Sequence, residues 1–206
     1  MDYRGDKAEL LEILRTTSFR SKGDFHLSSG KSSPYYIDCK MALSYPRART
    51  LMGKLIAQLL QDDSIDAVGG LELGAYPLAA AVSDAIYEMT GRTVRVFVVR
   101  KQPKSHGLMK LIEGEVHEGD RALIVDDVTT SGGSVIKAIE GARSARLQVS
   151  RAILLIDREE SAGKENIEAH NVKFDALYKL SDLLSKPTND TERSDARPNQ
   201  AGAVSG

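Results

Sequence analysis

A single cysteine, Cys39, stands among 206 residues and excludes an internal disulfide framework. The four histidines, His26, His106, His117 and His170, are scattered, so no Cys/His cluster has zinc-site spacing. Excess charge is missing too. With 28 basic residues against 29 acidic ones, the formal net charge is −1, which argues against blanket attraction to nucleic acid or an anionic membrane. Any anion site must therefore be local. No apolar run approaches the roughly 18–20 residues that span a bilayer, and the opening MDYRGDKAELLEILR lacks the basic-then-apolar order of a signal peptide. These absences lead us to expect a soluble protein of a reducing cytoplasm. What is present, a 41% hydrophobic share, suits one globular domain with a real core, expected over residues 1–185. Residues 186–206 (KPTNDTERSDARPNQAGAVSG) hold one valine among small and polar residues and two prolines, too little to offset the entropy of ordering them, so a disordered tail is expected.

Between these limits the pattern alternates. Helical spacing predicts helices over 7–17, 46–60, 77–89, 133–145 and 162–170, and apolar runs predict strands over 67–73, 94–99, 121–127, 151–157 and 174–180. Residues 19–40 read as an extended hairpin or hood, punctuated by Gly23, Gly30 and Pro34. Near-continuous runs such as ALIV and AILLI indicate a parallel sheet covered on both faces, so the expected fold is α/β, a central parallel sheet flanked by helices with a small N-terminal hood. Ligands then bind at the carboxyl ends of the strands, where the polar loops 69–77, 100–114 and 126–134 leave the sheet.

The last of these loops carries the most chemistry. The segment Ala122-Leu-Ile-Val-Asp126-Asp127-Val128-Thr129-Thr130-Ser131-Gly132-Gly133-Ser134 is a buried strand that ends in two carboxylates and a hydroxyl- and glycine-rich turn opening a helix. Glycines let N–H groups converge on an anion, hydroxyls add donors, and the helix N-terminus favours negative charge: together a phosphate cradle. The acidic pair cannot bind phosphate; it suits sugar hydroxyls, a divalent cation, or positive charge developing at a sugar carbon. ATP- and dinucleotide-binding readings fall away, because neither G-x-x-x-x-G-K-[ST] nor a helix-opening G-x-G-x-x-G occurs.

This segment resembles the phosphoribosyl-pyrophosphate motif of the type I phosphoribosyltransferases. The resemblance implies that Val128, Thr129, Thr130, Ser131, Gly132, Gly133 and Ser134 hold the 5-phosphate, while Asp126 and Asp127 contact the ribose hydroxyls. Three further strings resemble the orotate phosphoribosyltransferases. The first, Phe25 to Asp38, matches the hood signature F-x-L-x-S-G-x-x-S-x-Y-Y-x-D, in which a turn at Ser29–Gly30 beside Tyr36 and Ile37 offers donors and a flat face to a planar pyrimidine acid. In the second, Arg100, Lys101, Lys104 and His106 crowd four potential cations beside Gly107, similar to the family's catalytic loop, which implies a lid that neutralises pyrophosphate. In the third, Asp157-Arg158-Glu159-Glu160 resembles a D-R-x-E turn whose arginine faces the orotate carboxylate, so Tyr36, Ile37, Thr130 and Arg158 form the implied orotate site.

The resemblance further implies transfer of ribose 5-phosphate from phosphoribosyl pyrophosphate to N1 of orotate, with Lys101, Lys104, His106, Asp126 and Asp127 as the catalytic set. It implies Mg²⁺ held mainly by substrate oxygens rather than by a protein cage, and a homodimer with shared active sites, without nucleic acid or membrane. Some members carry a lysine where this chain has Ser28 and another in the loop that here reads GGLELGAYP; Lys31 or Lys40 are the substitutes, with backbone amides around Gly74–Ala75 available to pyrophosphate. At this length we expect no fused decarboxylase of the kind found in some relatives. Cys39, His26, His117 and His170 read as structural. Two alternatives stay open: a phosphoribosyltransferase for a purine or uracil, and a non-catalytic sensor of phosphoribosyl pyrophosphate.

Overall fold

The computed structural model describes residues 2–26, 32–60, 63–102 and 111–185. Expectations that fall on Ser28, the Ser29–Gly30 turn, Lys31, Lys104, His106 and the 186–206 tail lie outside the described residues, as does the side chain of His26.

The chain opens with helix α1 (Tyr3–Thr17), capped by Asp2, whose carboxylate accepts the Gly5 N–H at 3.0 Å. The hood follows as an antiparallel hairpin of β1 (Phe19–His26) and β2 (Ser32–Ile37), with an irregular register between Ser21 and Phe25. Short helix α2 (Cys39–Leu43) and helix α3 (Pro46–Leu59) lead to β3 (Ala67–Leu71), helix α4 (Ala75–Thr90) and β4 (Arg95–Val99). Next come β5 (Ile112–Gly114), β6 (Arg121–Thr129), α5 (Gly133–Ser144), β7 (Gln148–Asp157), α6 (Gly163–Glu168), β8 (Lys173–Lys179) and α7 (Leu180–Leu184).

The six strands β3 to β8 form one sheet in the order β5-β4-β3-β6-β7-β8, parallel except for the edge strand β5, which runs antiparallel to β4. Alternation within the apolar runs sends side chains to opposite faces. Leu123, Val125, Ile153 and Leu155 pack with Leu10 and Leu14 of α1, Leu51 and Leu55 of α3, and Leu78 and Val82 of α4. Ala122, Ile124, Ala152 and Leu154 pack instead with Val135, Ala138 and Ile139 of α5 and Ile167 of α6. The parallel sheet expected from ALIV and AILLI is thus covered on both sides.

Two expectations need correction, and two short helices carry no signal. Helix α4 begins at Ala75, not Pro77, because a proline in the first turn gives up an N–H that has no helical partner anyway. The loop predicted over 100–114 contains strand β5 at its end, where three residues suffice to pair with β4. Helices α2 and α7, five residues each, are too short to show a helical period.

From β3 the chain crosses to β4 on one side and later returns to β6 on the other. The carboxyl ends of β3 and β6 therefore bound a crevice at a topological switch point, where ligands of such sheets bind.

Candidate active site

Strand β6 delivers Asp126 and Asp127 to that crevice. Asp126 is 7% exposed, and its Oδ1 accepts the Asp127 N–H at 2.9 Å; Asp127 Oδ1 in turn accepts the Val128 N–H at 2.9 Å. Burial, reinforced by the neighbouring Asp127 charge, pushes the Asp126 carboxyl up to about 7. Across the crevice, Lys40 of α2 places Nζ 3.9 Å from Asp127 Oδ2 and 3.4 Å from Asp38 Oδ1. Partial burial works against that ammonium, yet Asp127 and Asp38 hold its pKa above the ordinary lysine value.

The turn after β6 is tied from behind. Thr129 is buried and its Oγ1 accepts the Gly132 N–H at 3.1 Å, and Gly132, at φ +84°, occupies the left-handed region that opens α5. Asn166 of α6 donates from Nδ2 to the Ser131 carbonyl at 2.9 Å. A Cβ built on Gly163 would stand 2.6 Å from the Thr130 carbonyl oxygen, so α6 can approach the turn only through glycine.

The β3–α4 turn closes the opposite wall. A Cβ on Gly74 would lie 3.5 Å from Asp127 Oδ1 and 3.6 Å from Asp126 Oδ1, which puts this backbone against the acidic pair. Glu72 donates its N–H to Val99 O at 2.8 Å, and its Oε1 accepts the Lys101 N–H at 2.8 Å, so the turn anchors the start of the segment that leaves β4. The Glu72–Leu73 peptide is cis.

The hood supplies the roof. Tyr36 stacks on Phe25 with ring centroids 5.5 Å apart and remains 41% exposed, while Ile37 is buried. Read alone, D-R-E-E suggests a surface turn, but Arg158 is 3% exposed. Its Nη2 donates to Ser33 Oγ at 3.0 Å and to the Tyr35 carbonyl at 3.3 Å, and both Nε and Nη2 reach Glu160 at 3.2 Å. Its backbone N–H also meets the Thr129 carbonyl at 3.1 Å. Arg158 thereby joins hood, β7 and the turn after β6, and none of these bonds uses Nη1.

These walls enclose a cleft of about 530 Å³. Of the residues singled out from the sequence, Tyr36, Ile37, Lys101, Asp126, Asp127, Val128, Thr130, Ser134 and Arg158 line it together. Thr129 and Ser131–Gly133 build the turn behind, and Arg100 points elsewhere, its guanidinium donating to the Gln102 carbonyl at 3.2 Å and to Glu113 at 3.4 Å. Lys40, Glu72 and Gly74 also line the cleft. Sequence reasoning named Lys40 only as one of two substitutes and assigned Glu72 and Asn166 nothing, because no motif marks them. Cys39 is buried, with its thiol pushed up by burial and then by Asp127, which suits a packing role. Among the described residues, no three His, Cys, Asp or Glu side chains converge as a metal cage, and no helix is long and apolar enough to cross a membrane.

Residues 42–178 match the family described as phosphoribosyl transferase domain. The orotate phosphoribosyltransferase of Bradyrhizobium sp. (strain ORS 278) is 41% identical over 188 residues, covering 89% of this chain and 100% of the relative. Among solved structures, the Mycobacterium tuberculosis H37Rv orotate phosphoribosyltransferase bound to Fe(III) dicitrate superposes with a TM-score of 0.75 at 38% identity, covering 86% and 98% of the two chains. The same M. tuberculosis enzyme in complex with 5-phospho-alpha-D-ribosyl 1-diphosphate gives a TM-score of 0.70 at 32% identity, covering 87% of this chain and 92% of that one.

Proposed function

The chain belongs to the phosphoribosyl transferase family, among its orotate phosphoribosyltransferases, and from that premise we propose how its cleft performs the reaction. The enzyme transfers 5-phosphoribosyl from phosphoribosyl pyrophosphate to N1 of orotate, giving orotidine 5′-monophosphate and pyrophosphate in pyrimidine biosynthesis. The observation that carries the assignment of roles is one cleft in which an acidic pair, a phosphate-type turn and a hood arginine meet.

The 5-phosphate occupies the turn from Val128 to Ser134, where the α5 N-terminus and the Thr130 and Ser134 hydroxyls supply positive potential and donors. Asp126 and Asp127 accept the ribose hydroxyls. As the C1′–diphosphate bond breaks, their charge stabilises the cationic ribosyl centre, which orotate N1, having given up its proton to solvent, attacks from the opposite face with inversion. Tyr36 and Ile37 bound the orotate ring, and Arg158, fixed by its hood bonds, presents its free edge to the carboxylate. Diphosphate departs toward Gly74 and Lys101, with Lys104 and His106 closing over it; one of these cations donates the proton that the leaving group takes up. Arg100 turns from Glu113 to join them. Asp126 and Asp127 are the cleft carboxylates that would meet a Mg²⁺ ion arriving with the substrate, and such an ion would supply charge neutralisation for the departing diphosphate. Lid closure excludes water that would hydrolyse the activated sugar.

A homodimer with shared sites belongs to this reading. A second groove, of about 480 Å³, runs between α3 and α4, with Arg49 and Lys54 on one wall and Asp84 and Glu88 on the other. A two-fold-related copy would set each basic wall against the partner's acidic one. Tyr76 lines this groove, and Leu73, 79% exposed, precedes it on the turn that walls the cleft, so such an interface would abut the active site. A reducing cytoplasm is the proposed setting, in keeping with the buried lone thiol.

The decisive assay follows the fall in orotate absorbance on adding phosphoribosyl pyrophosphate with Mg²⁺, with adenine, hypoxanthine and uracil run in parallel by pyrophosphate release. We expect loss with orotate alone, abolished by EDTA. Release with another base would move the enzyme within its family, and silence throughout would favour a sensor.

A further inference from the structure

The cleft must accept a polyanion, yet its described walls carry few uncommitted cations. Glu72, Asp126 and Asp127 contribute carboxylates, and the lining cations are Lys40, Lys101 and Arg158. Arg158 commits Nε and Nη2 to Glu160 and the hood, and its remaining edge is assigned to the orotate carboxylate, so it is not available to the diphosphate. Lys101 approaches from the far side, its backbone held by Glu72. On the hood side the charge therefore falls to Lys40, whose side chain is 67% exposed and whose ammonium stands 3.9 Å from Asp127, beyond hydrogen-bond distance. Its other partner, Asp38 at 3.4 Å, also caps α2 by accepting the Lys40 N–H at 3.1 Å, so the stem is anchored while the head stays loosely paired. Exposed ion pairs of this kind are weak and exchange readily.

Resting on the functional reading above, we propose that Lys40 is a substrate-binding residue that recognises the diphosphate of phosphoribosyl pyrophosphate from the hood side. In the free enzyme its ammonium balances Asp127 and Asp38. When ribose hydroxyls engage Asp127, the ammonium is released to the diphosphate oxygens, where a charge-assisted contact replaces a looser one. Lysine suits this task because a flexible stem carries a compact charge to non-planar oxygens.

The test compares Lys40→Met and Lys40→Arg with wild type in steady-state kinetics, and measures binding of pyrophosphate with Mg²⁺ by calorimetry. Lys40→Met should raise the KM for phosphoribosyl pyrophosphate about tenfold or more and weaken pyrophosphate binding in parallel, while Lys40→Arg restores most of both. The orotate KM should stay within about twofold, and thermal unfolding should be unchanged for so exposed a side chain. A sugar-diphosphate KM within about twofold of wild type would overturn the proposal, as would a rise confined to orotate, which would assign Lys40 to the base carboxylate instead. Calorimetry needs no base, so a wild type that binds pyrophosphate without consuming orotate would refute the functional reading and leave the Lys40 comparison to stand or fall on binding.

Discussion

Asp126 is buried, and the proposed mechanism asks it to be charged. With its carboxyl pushed up to about 7 by burial and by Asp127, the free enzyme holds a proton there in mildly acidic solution. A protonated Asp126 cannot stabilise a cationic sugar, so kcat/KM for phosphoribosyl pyrophosphate should fall as pH drops through about 7. Lys40 pulls that value down, so Lys40→Met should move the acid limb to higher pH. The stability consequence has the opposite sense to a salt-bridged aspartate. The folded value lies above the roughly 3.9 of an unfolded chain, so wild type loses stability between about pH 4 and 7, with no further loss above that. Asp126→Asn escapes this, and its stability relative to wild type should rise across the same window by on the order of 2–4 kcal/mol. Urea titrations at pH 5 and 8 check this; a pH-independent difference would mean that Asp126 titrates alike folded and unfolded. The sequence exposed this residue through its motif but could not show its burial, just as D-R-E-E could not show that Arg158 lies beneath the hood. Burial is set by elements far off in the chain, the β3–α4 turn for Asp126 and the hood for Arg158.

Strand β3 shows what an element demands of its residues. Gly69 and Gly70 lie where β4 and β6 press from both sides: a Cβ at Gly69 would stand 2.3 Å from the Phe97 carbonyl oxygen, and one at Gly70 would stand 2.2 Å from that of Val125. Both obstacles are backbone and cannot rotate away. Gly70→Ala should therefore cost about 2–4 kcal/mol in chemical denaturation, and because Val125 precedes Asp126, it should lower kcat/KM as well. A fully stable variant would mean that the sheet can spread at this point. Elements of this kind were legible wherever periodicity had room to speak: the long strands β6 and β7 announce themselves by unbroken apolar runs, and α5 by its glycine start. Strand β5, with three residues, and α2, with five, carry no period at all. They form because neighbours fix their ends, β4 by pairing and Asp38 by capping. Lys40 rides on one of these illegible elements, which is why the sequence could mention it without placing it.

At the scale of the whole molecule, the described walls of the cleft hold only some of the groups assigned to the reaction. They supply the turn after β6, the acidic pair and the hood, while the cations singled out at Lys104 and His106 belong to a segment outside the described residues. The resemblance that assigns that segment to a lid also implies a homodimer with shared sites, and the oppositely charged walls between α3 and α4 offer a place for a neighbour to dock. This arrangement is testable by complementation. Lys104→Ala should reduce turnover sharply without altering the thermal transition, and Asp127→Asn should do the same, since each removes charge from one half of a site. If sites are shared, a heterodimer of the two variants contains one site missing both groups and one site intact, so mixed subunits should recover up to about half the wild-type turnover per dimer. If each subunit closes its own lid, every site in the heterodimer keeps one lesion and no activity returns. Light scattering must first establish that the variants form dimers, and exchange of tagged subunits must show that they mix. Recovery would then place Lys104 across the interface from Asp127, whereas its absence in verified heterodimers would confine the lid to its own subunit and leave the α3–α4 groove without a catalytic reason to be an interface.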